Sequence, residues 1–197
     1  MDTLELDLNK RYTFANYLTW VDDKRRELIK GFIKKMSPAP SRKHQEISGD
    51  IYFEFAGFLK TKENCRVYHA PFDVRFPDLN GETAADKIYT VVQPDISVIC
   101  DLSKLDDKGC IGAPDLIVEI LSPATVKKDL EEKYKLYEEK GVQEYWIIHP
   151  NDETLSIFSL DKKGKYNLQG IYSKDSIVDV NIFKGKLTID LNEIFRA

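Results

Sequence analysis

Cysteine is scarce in this sequence: Cys65, Cys100 and Cys110 are the whole complement. Odd in number, widely spaced and never in a CxxC arrangement, they argue against a disulfide framework and against a zinc ribbon. They argue for a reducing compartment, and a cytoplasmic location is expected. Long apolar runs are also missing. No stretch approaches the roughly 18 consecutive apolar residues of a spanning helix. The first ten residues lack a basic segment followed by an apolar core, so no signal peptide is expected. Nor is there a basic excess, since 29 Lys and Arg face 33 Asp and Glu for a formal charge of −4. That sum does not mark a binder of polyanions. Repeats, low-complexity tracts and linker-like composition are absent as well. What remains is 197 residues, 42% apolar and 31% charged, which is enough for one well-packed domain and short for two.

Charge distribution says more than its sum. From Lys24 to Lys43 run eight basic residues (Lys24, Arg25, Arg26, Lys30, Lys34, Lys35, Arg42, Lys43) against one acid, Glu27. Such a run could touch phosphates. Taken alone, it reads as a solvated hairpin face balanced by acids elsewhere.

Thr13 is placed to cap a short helix reaching Trp20. Glu27–Ile29 and Phe32–Met36, joined around Lys30-Gly31, read as a tight hairpin. After a stop at Ser37-Pro38-Ala39-Pro40, a helix from about Arg42 to Lys60 carries the stripe Ile47, Ile51, Phe55 and Phe58. Arg66–Phe76 and Val91–Cys100 read as strands, separated by the turn-rich Asp78–Asp86. Asp115–Leu121 is another strand, after which Ser122-Pro123 caps and opens a helix ending at Gly141. Strands follow at Tyr145–His149, Thr154–Leu160 and Lys165–Tyr172. This order predicts an α/β (α+β) domain with a mixed central sheet flanked by helices. The strands on either side of the last helix should run parallel with a right-handed crossover.

Two carboxylates stand where carboxylates are costly. Asp115-Leu-Ile-Val-Glu-Ile-Leu121 is aliphatic on both faces, the mark of a strand buried on both sides, yet Glu119 sits in its middle. A bare carboxylate there costs several kcal/mol, so it must be neutral, paired or bound to a metal. Asp95 repeats the anomaly in Val91–Cys100, where period two sets Gln93, Asp95 and Ser97 on one face against Val92, Ile96 and Val98. Beside Glu119, that polar face would form a small acidic pocket. On the following helix Val126, Leu130, Tyr134 and Tyr137 form the inward stripe, and Lys133 falls within about 20° of Val126. Lys127, Lys128, Lys135 and Lys140 lie outside the stripe or at its margin. Lys133 therefore points at the sheet, where its ammonium needs an anion. His44 lies near the centre of the other helix's stripe and reads as a satisfied core group; in a site it would stand behind the carboxylates.

These residues resemble the Uma-type restriction endonucleases, a family within the PD-(D/E)xK nuclease superfamily, over nearly the whole chain. The marks are Glu27-Leu-Ile-Lys-Gly31, Met36-Ser-Pro38 with His44-Gln45, Pro71-Phe-Asp-Val-Arg75, Val92-Gln-Pro-Asp95, the long block Gly112 to Pro123, Asp129 with Lys133 and Tyr137, and Gly141-Val-Gln-Glu-Tyr-Trp146. The resemblance implies one restriction-endonuclease-like domain over 1–197, with an N-terminal helix and hairpin in 1–40, a catalytic core in 41–150 and C-terminal strands in 151–197. It makes Pro94-Asp95 the PD element and Glu119 the acid of (D/E)xK. Two residues later, where the superfamily places its lysine, stands Leu121; the lysine role is implied to pass to Lys133. Lys30 replaces the acid usual before the hairpin glycine, which makes the hairpin a weaker site.

The function so implied is a Mg²⁺-dependent endonuclease, with Mn²⁺ able to substitute, that hydrolyses phosphodiester bonds of nucleic acid, in particular DNA. Asp95, Glu119 and the Ile120 carbonyl would hold the metal, and a homodimer is expected. One alternative is a nucleic-acid-binding or assembly module that keeps the fold without turnover. Another is a different Mg²⁺ enzyme on the same scaffold, because fold does not fix function.

Overall fold

The computed structural model describes residues 5–22, 24–36, 39–62, 64–78, 81–122 and 128–196, with the backbone alone for 128–130. Thr13 caps α1 (Phe14–Tyr17) through a reciprocal capping box with Asn16. β1 (Arg26–Ile29) and β2 (Phe32–Lys35) form the expected hairpin. Its turn residues Lys30 and Gly31 have φ of 53° and 89°, the left-handed pair that a two-residue hairpin needs to match strand twist. Ser41 caps α2 (Arg42–Leu59), which buries Ile47, Ile51, Phe55 and Leu59. Phe58, expected on that stripe, is only half-buried at its edge.

Two expected strands are each broken in two. The first is β3 (Arg66–His69) and β4 (Val74–Phe76), and the second is β5 (Thr90–Val92) and β6 (Ile96–Ile99). The breaks fall at Pro71 and Pro94, where the missing N–H interrupts a ladder. At both breaks the chain leaves one sheet and enters another, so the single mixed sheet of the sequence reading is two mixed six-stranded sheets. β7 (Leu105–Asp106) and β8 (Gly109–Ile111), a short hairpin with no clear signal in the sequence, complete the first in the order β2-β1-β5-β4-β8-β7. The second has the order β12-β11-β10-β9-β6-β3. It is built from β9 (Leu116–Ile120), β10 (Glu144–His149), β11 (Thr154–Leu160) and β12 (Tyr166–Ser173) with β3 and β6. β9 and β10 pair in parallel, as the strand–helix–strand reading requires. A small hairpin of β13 (Ile177–Asp179) and β14 (Thr188–Asp190) and the helix α4 (Leu191–Ile194) follow.

The second sheet is buried on both faces. Val118, Ile120, Trp146 and Ile148 pack with α2 and the C-terminal hairpin. Ile117, Tyr145 and Ile147 pack on the other side with α3 (Tyr134–Lys140). Double burial is why these strands read as nearly unbroken apolar runs. A third cluster, Tyr12, Phe14, Leu28, Ile33, Ile88 and Val91, lies under α1 and the first hairpin.

One expectation is overturned outright. Cys65 and Cys100 form a disulfide. They flank β3 and β6, whose antiparallel register sets Arg66 opposite Ile99 and so places these cysteines opposite each other. A spacing of 35 residues says nothing of that register. The argument from cysteine usage for a reducing compartment falls with it; Cys110 is the free, buried thiol. Among the described residues no helix is long and apolar enough to cross a membrane.

Candidate active site

β9 carries Glu119 into the core on the side of Ile117 and Leu121, facing α3, and the residue is 3% exposed. Of the three resolutions open to a buried carboxylate, the structure shows pairing. Glu119 Oε1 accepts from Lys133 Nζ at 2.6 Å and from the Tyr137 hydroxyl at 2.6 Å. Lys133 and Tyr137 are four residues apart, one helical turn, so they reach the same oxygen from one face. Burial first and the Glu119 charge next hold the Tyr137 phenol well above its ordinary pKa. It therefore remains a neutral O–H donor.

The helix is not the regular one expected from Ser122-Pro123. Residues 128–133 form a π-helical turn that runs into α3, a feature frequent at functional sites. A wheel drawn at 100° per residue does not carry across it. Lys133, the last residue of the π-helical turn, shares the inward face with Tyr137 one turn further on. The Pro123 and Val126 expectations, and the inward placing of the Leu130 side chain, lie outside the described residues. Lys135 is exposed, as expected of an outward residue.

The structure adds a third carboxylate that the sequence reading left out of the site. Glu27 on β1 is fully buried, with Oε1 3.3 Å from Lys133 Nζ and accepting the backbone N–H of Gln93 at 2.9 Å. Being the lone acid in a basic run was its available signal. What obscured it was the hairpin context, since the ion pair bridges elements more than a hundred residues apart. Tyr137, read as core, belongs to the site as well.

Asp95 sits at the switch between the two sheets, just after Pro94. Its Oδ2 accepts the Ile120 N–H at 2.8 Å and lies 3.2 Å from His44 Nε2. The side chain is 20% exposed, and Oδ1 has no hydrogen-bond donor among the described residues. His44, in the first turn of α2, is thus brought against Asp95 rather than lost in the core. Ser97, expected on the same polar face, is buried on β6 with a hydroxyl that finds no partner among the described residues. The structure thus brings His44 and the Ile120 backbone to Asp95, and Lys133, Tyr137 and Glu27 to Glu119, the two groups joined at the Glu119–Ile120 step of β9.

The candidate ligands Asp95, Glu119 and the Ile120 carbonyl are all oxygens, the donor type Mg²⁺ takes. Among the described residues no group of three His, Cys, Asp and Glu is arranged to hold a metal.

Comparison with known proteins bears on the fold and the family. A solved structure from Anabaena variabilis, described as a putative nuclease belonging to DUF820, superposes with a TM-score of 0.71. It covers 94% of this chain and 98% of its own at 21% identity, and so shares the fold. An uncharacterized protein from Synechocystis sp. is 24% identical over 164 residues, 82% of this chain and 80% of its own length. The family model for Uma2, described as "Putative restriction endonuclease", matches residues 14–192. The chain belongs to that restriction-endonuclease family.

Proposed function

We propose that this protein is a Mg²⁺-dependent endonuclease that hydrolyses phosphodiester bonds of nucleic acid, with DNA as substrate and Mn²⁺ able to replace Mg²⁺. The observation that carries the reading is the buried Lys133 ammonium within 3.3 Å of both Glu27 and Glu119, next to an Asp95 tied to the backbone one residue beyond Glu119. A core ion pair made for stability needs one carboxylate per ammonium. Family membership and the nuclease-like fold add support.

Asp95 and Glu119, with the Ile120 carbonyl, would hold the metal. When bound, it supplies an acidified water and a counter-charge to the phosphate. The protein's own groups do the positioning. The Ile120 N–H and His44 fix one oxygen of Asp95 and leave the other outward. Tyr137 and Lys133 fix Glu119, and Glu27 holds the ammonium from the second side. From there Lys133 can orient a water, take up or release its proton, or offset charge building on the phosphate. It does from a helix what a lysine at position 121 would do from the strand.

The test is supercoiled plasmid and a matched RNA incubated with purified protein in Mg²⁺, Mn²⁺ or chelator. Nicking in either ion, none in chelator and none by a folded Asp95→Ala variant are expected. Wild-type rates from Asp95→Ala would remove the site assignment. Binding that survives chelator, with no cleavage of DNA or RNA, would replace the enzyme by a binding module.

A further inference from the structure

The basic run from Lys24 to Lys43 is mostly neutralised by acids, as a solvated face would be. Arg26 pairs with Asp22, Lys30 with Glu139, Lys34 with Glu132, Arg42 with Glu46 and Lys43 with Glu153. Among the described residues Lys24, Arg25 and Lys35 have no carboxylate partner, and all three are exposed. Arg25 differs from the other two because it is held in place. Its Nε and Nη2 both donate to Gln93 Oε1, at 3.1 and 2.9 Å.

The amide that holds it cannot easily turn. Gln93 Nε2 donates to Asp73 Oδ1 at 2.9 Å and lies 3.2 Å from the Tyr17 hydroxyl, which also donates to Asp73. With its donor end committed to a part-buried carboxylate, the amide must present its oxygen to Arg25. The backbone of the same Gln93 donates to Glu27, and Asp95 lies two residues on. Along β1, Leu28 enters the cluster under α1 while Ile29 enters the cluster containing Leu121 and Tyr137. Alternation therefore puts Glu27 on the site's side, and Arg25 on that side one pleat further out. The ladder still holds there, since the Met36 N–H donates to the Arg25 carbonyl.

We infer that Arg25 is a preset clamp for a nucleic-acid backbone phosphate beside the site, held in place through Gln93 by Asp73 and Tyr17. Two of the five guanidinium N–H groups are engaged by Gln93; the others are left for a phosphate, which accepts such a fork at two oxygens. Fixing a long exposed side chain costs rotamer freedom. A purely structural use of Gln93 would not need an arginine at its solvent end. This rests on the nucleic-acid reading above.

The experiment measures binding of a labelled DNA duplex by fluorescence anisotropy in Ca²⁺ across a salt series, and single-turnover cleavage in Mg²⁺. Arg25→Ala should bind about tenfold more weakly and lower the slope of log K against log salt by about one. Lys62→Ala, which removes a charge at the far end of α2, should do neither. Gln93→Leu should keep the salt slope but lose cleavage rate. Adding it to Arg25→Ala should cost nothing further, because the two act as one device. Arg25→Gln keeps a partner for Gln93, and should reproduce the weaker binding without any loss of melting temperature. Wild-type affinity, slope and rate in Arg25→Ala would overturn the clamp while leaving the nuclease reading intact. A fully additive double variant would overturn the role of Gln93. Wild-type protein that binds no nucleic acid at any salt would overturn both readings.

Discussion

Lys133 is the residue on which structure and chemistry converge. Its ammonium is shared by two buried carboxylates on different sheets. Removing it leaves charge buried without its counter-ion, a loss of about 3–5 kcal/mol for a broken buried pair. Lys133→Ala should therefore lower the urea midpoint. Below its own melting temperature it should also cut single-turnover rate at least ~100-fold, the low end for a positioned acid–base group. Lys135→Ala, two residues on and exposed, should change neither. Saturating DNA separates chemistry from affinity, since any lost lysine can weaken binding through charge. Equal rates for the two variants would take the lysine role away from this helix.

Among the elements, the junctions between the sheets decide the site. β5 and β6 would be one strand but for Pro94, and the break is what frees the Gln93 N–H for Glu27 and the Asp95 side chain for the Ile120 N–H. The partner junction, between β3 and β4, is held by β8. There the Asp73 carbonyl accepts from Cys110, and Gly109 has φ of 120°. A Cβ at Gly109 would lie 2.1 Å from that carbonyl oxygen, so only glycine fits. Gly109→Ala should cost at least roughly 1–3 kcal/mol. It should also disturb the Asp73–Gln93 contact. Gly57→Ala, inside α2 with nothing within 4 Å of the added Cβ, should instead stabilise by roughly 0.5–1 kcal/mol. Chemical denaturation of the pair reads both signs, and a neutral Gly109→Ala would show that this junction adjusts.

On the scale of the whole molecule, two devices tie distant segments together. The Cys65–Cys100 bond closes a 35-residue separation and clamps the edge strand β3 to β6. Reduction should cost about 2–4 kcal/mol, mainly by freeing the unfolded chain. Alkylation after unfolding should block one thiol before reduction and three after; three before would show the bond absent. Glu144, at the start of β10, accepts from the Trp146 indole and from the Ile182 N–H at 2.8 Å each, pinning the C-terminal segment to the second sheet. Burial raises its pKa against the pull of these hydrogen bonds. Between the ordinary glutamate value and the raised one, the folded protein keeps a proton that the unfolded chain releases. Stability from this group is thus full at lower pH and falls as pH climbs through that window. The urea midpoint of wild type should drop more from mildly acidic to neutral pH than that of Glu144→Gln. Parallel drops would mean that Glu144 titrates alike in both states.

Much of this protein is written locally. Thr13, the Lys30-Gly31 turn and Gly141 mark their own element ends, because caps and tight turns depend on a few neighbouring residues. β9 declares itself by aliphatic residues on both faces, and a carboxylate in such a strand announces that something must answer it, which is how Asp95, Glu119 and Lys133 could be read at all. What answers it was decided in three dimensions. Glu27 meets Lys133, Cys65 meets Cys100 and Gln93 meets Arg25 only through strand register and sheet order. Period and composition carry no record of either, since pairing energy belongs to two segments at once. The break at Pro94 shows the boundary between the two. Its missing N–H is visible in the sequence, but that the chain there passes from one sheet into another, setting Asp95 beside the backbone of Glu119's strand, follows from the packing of the whole.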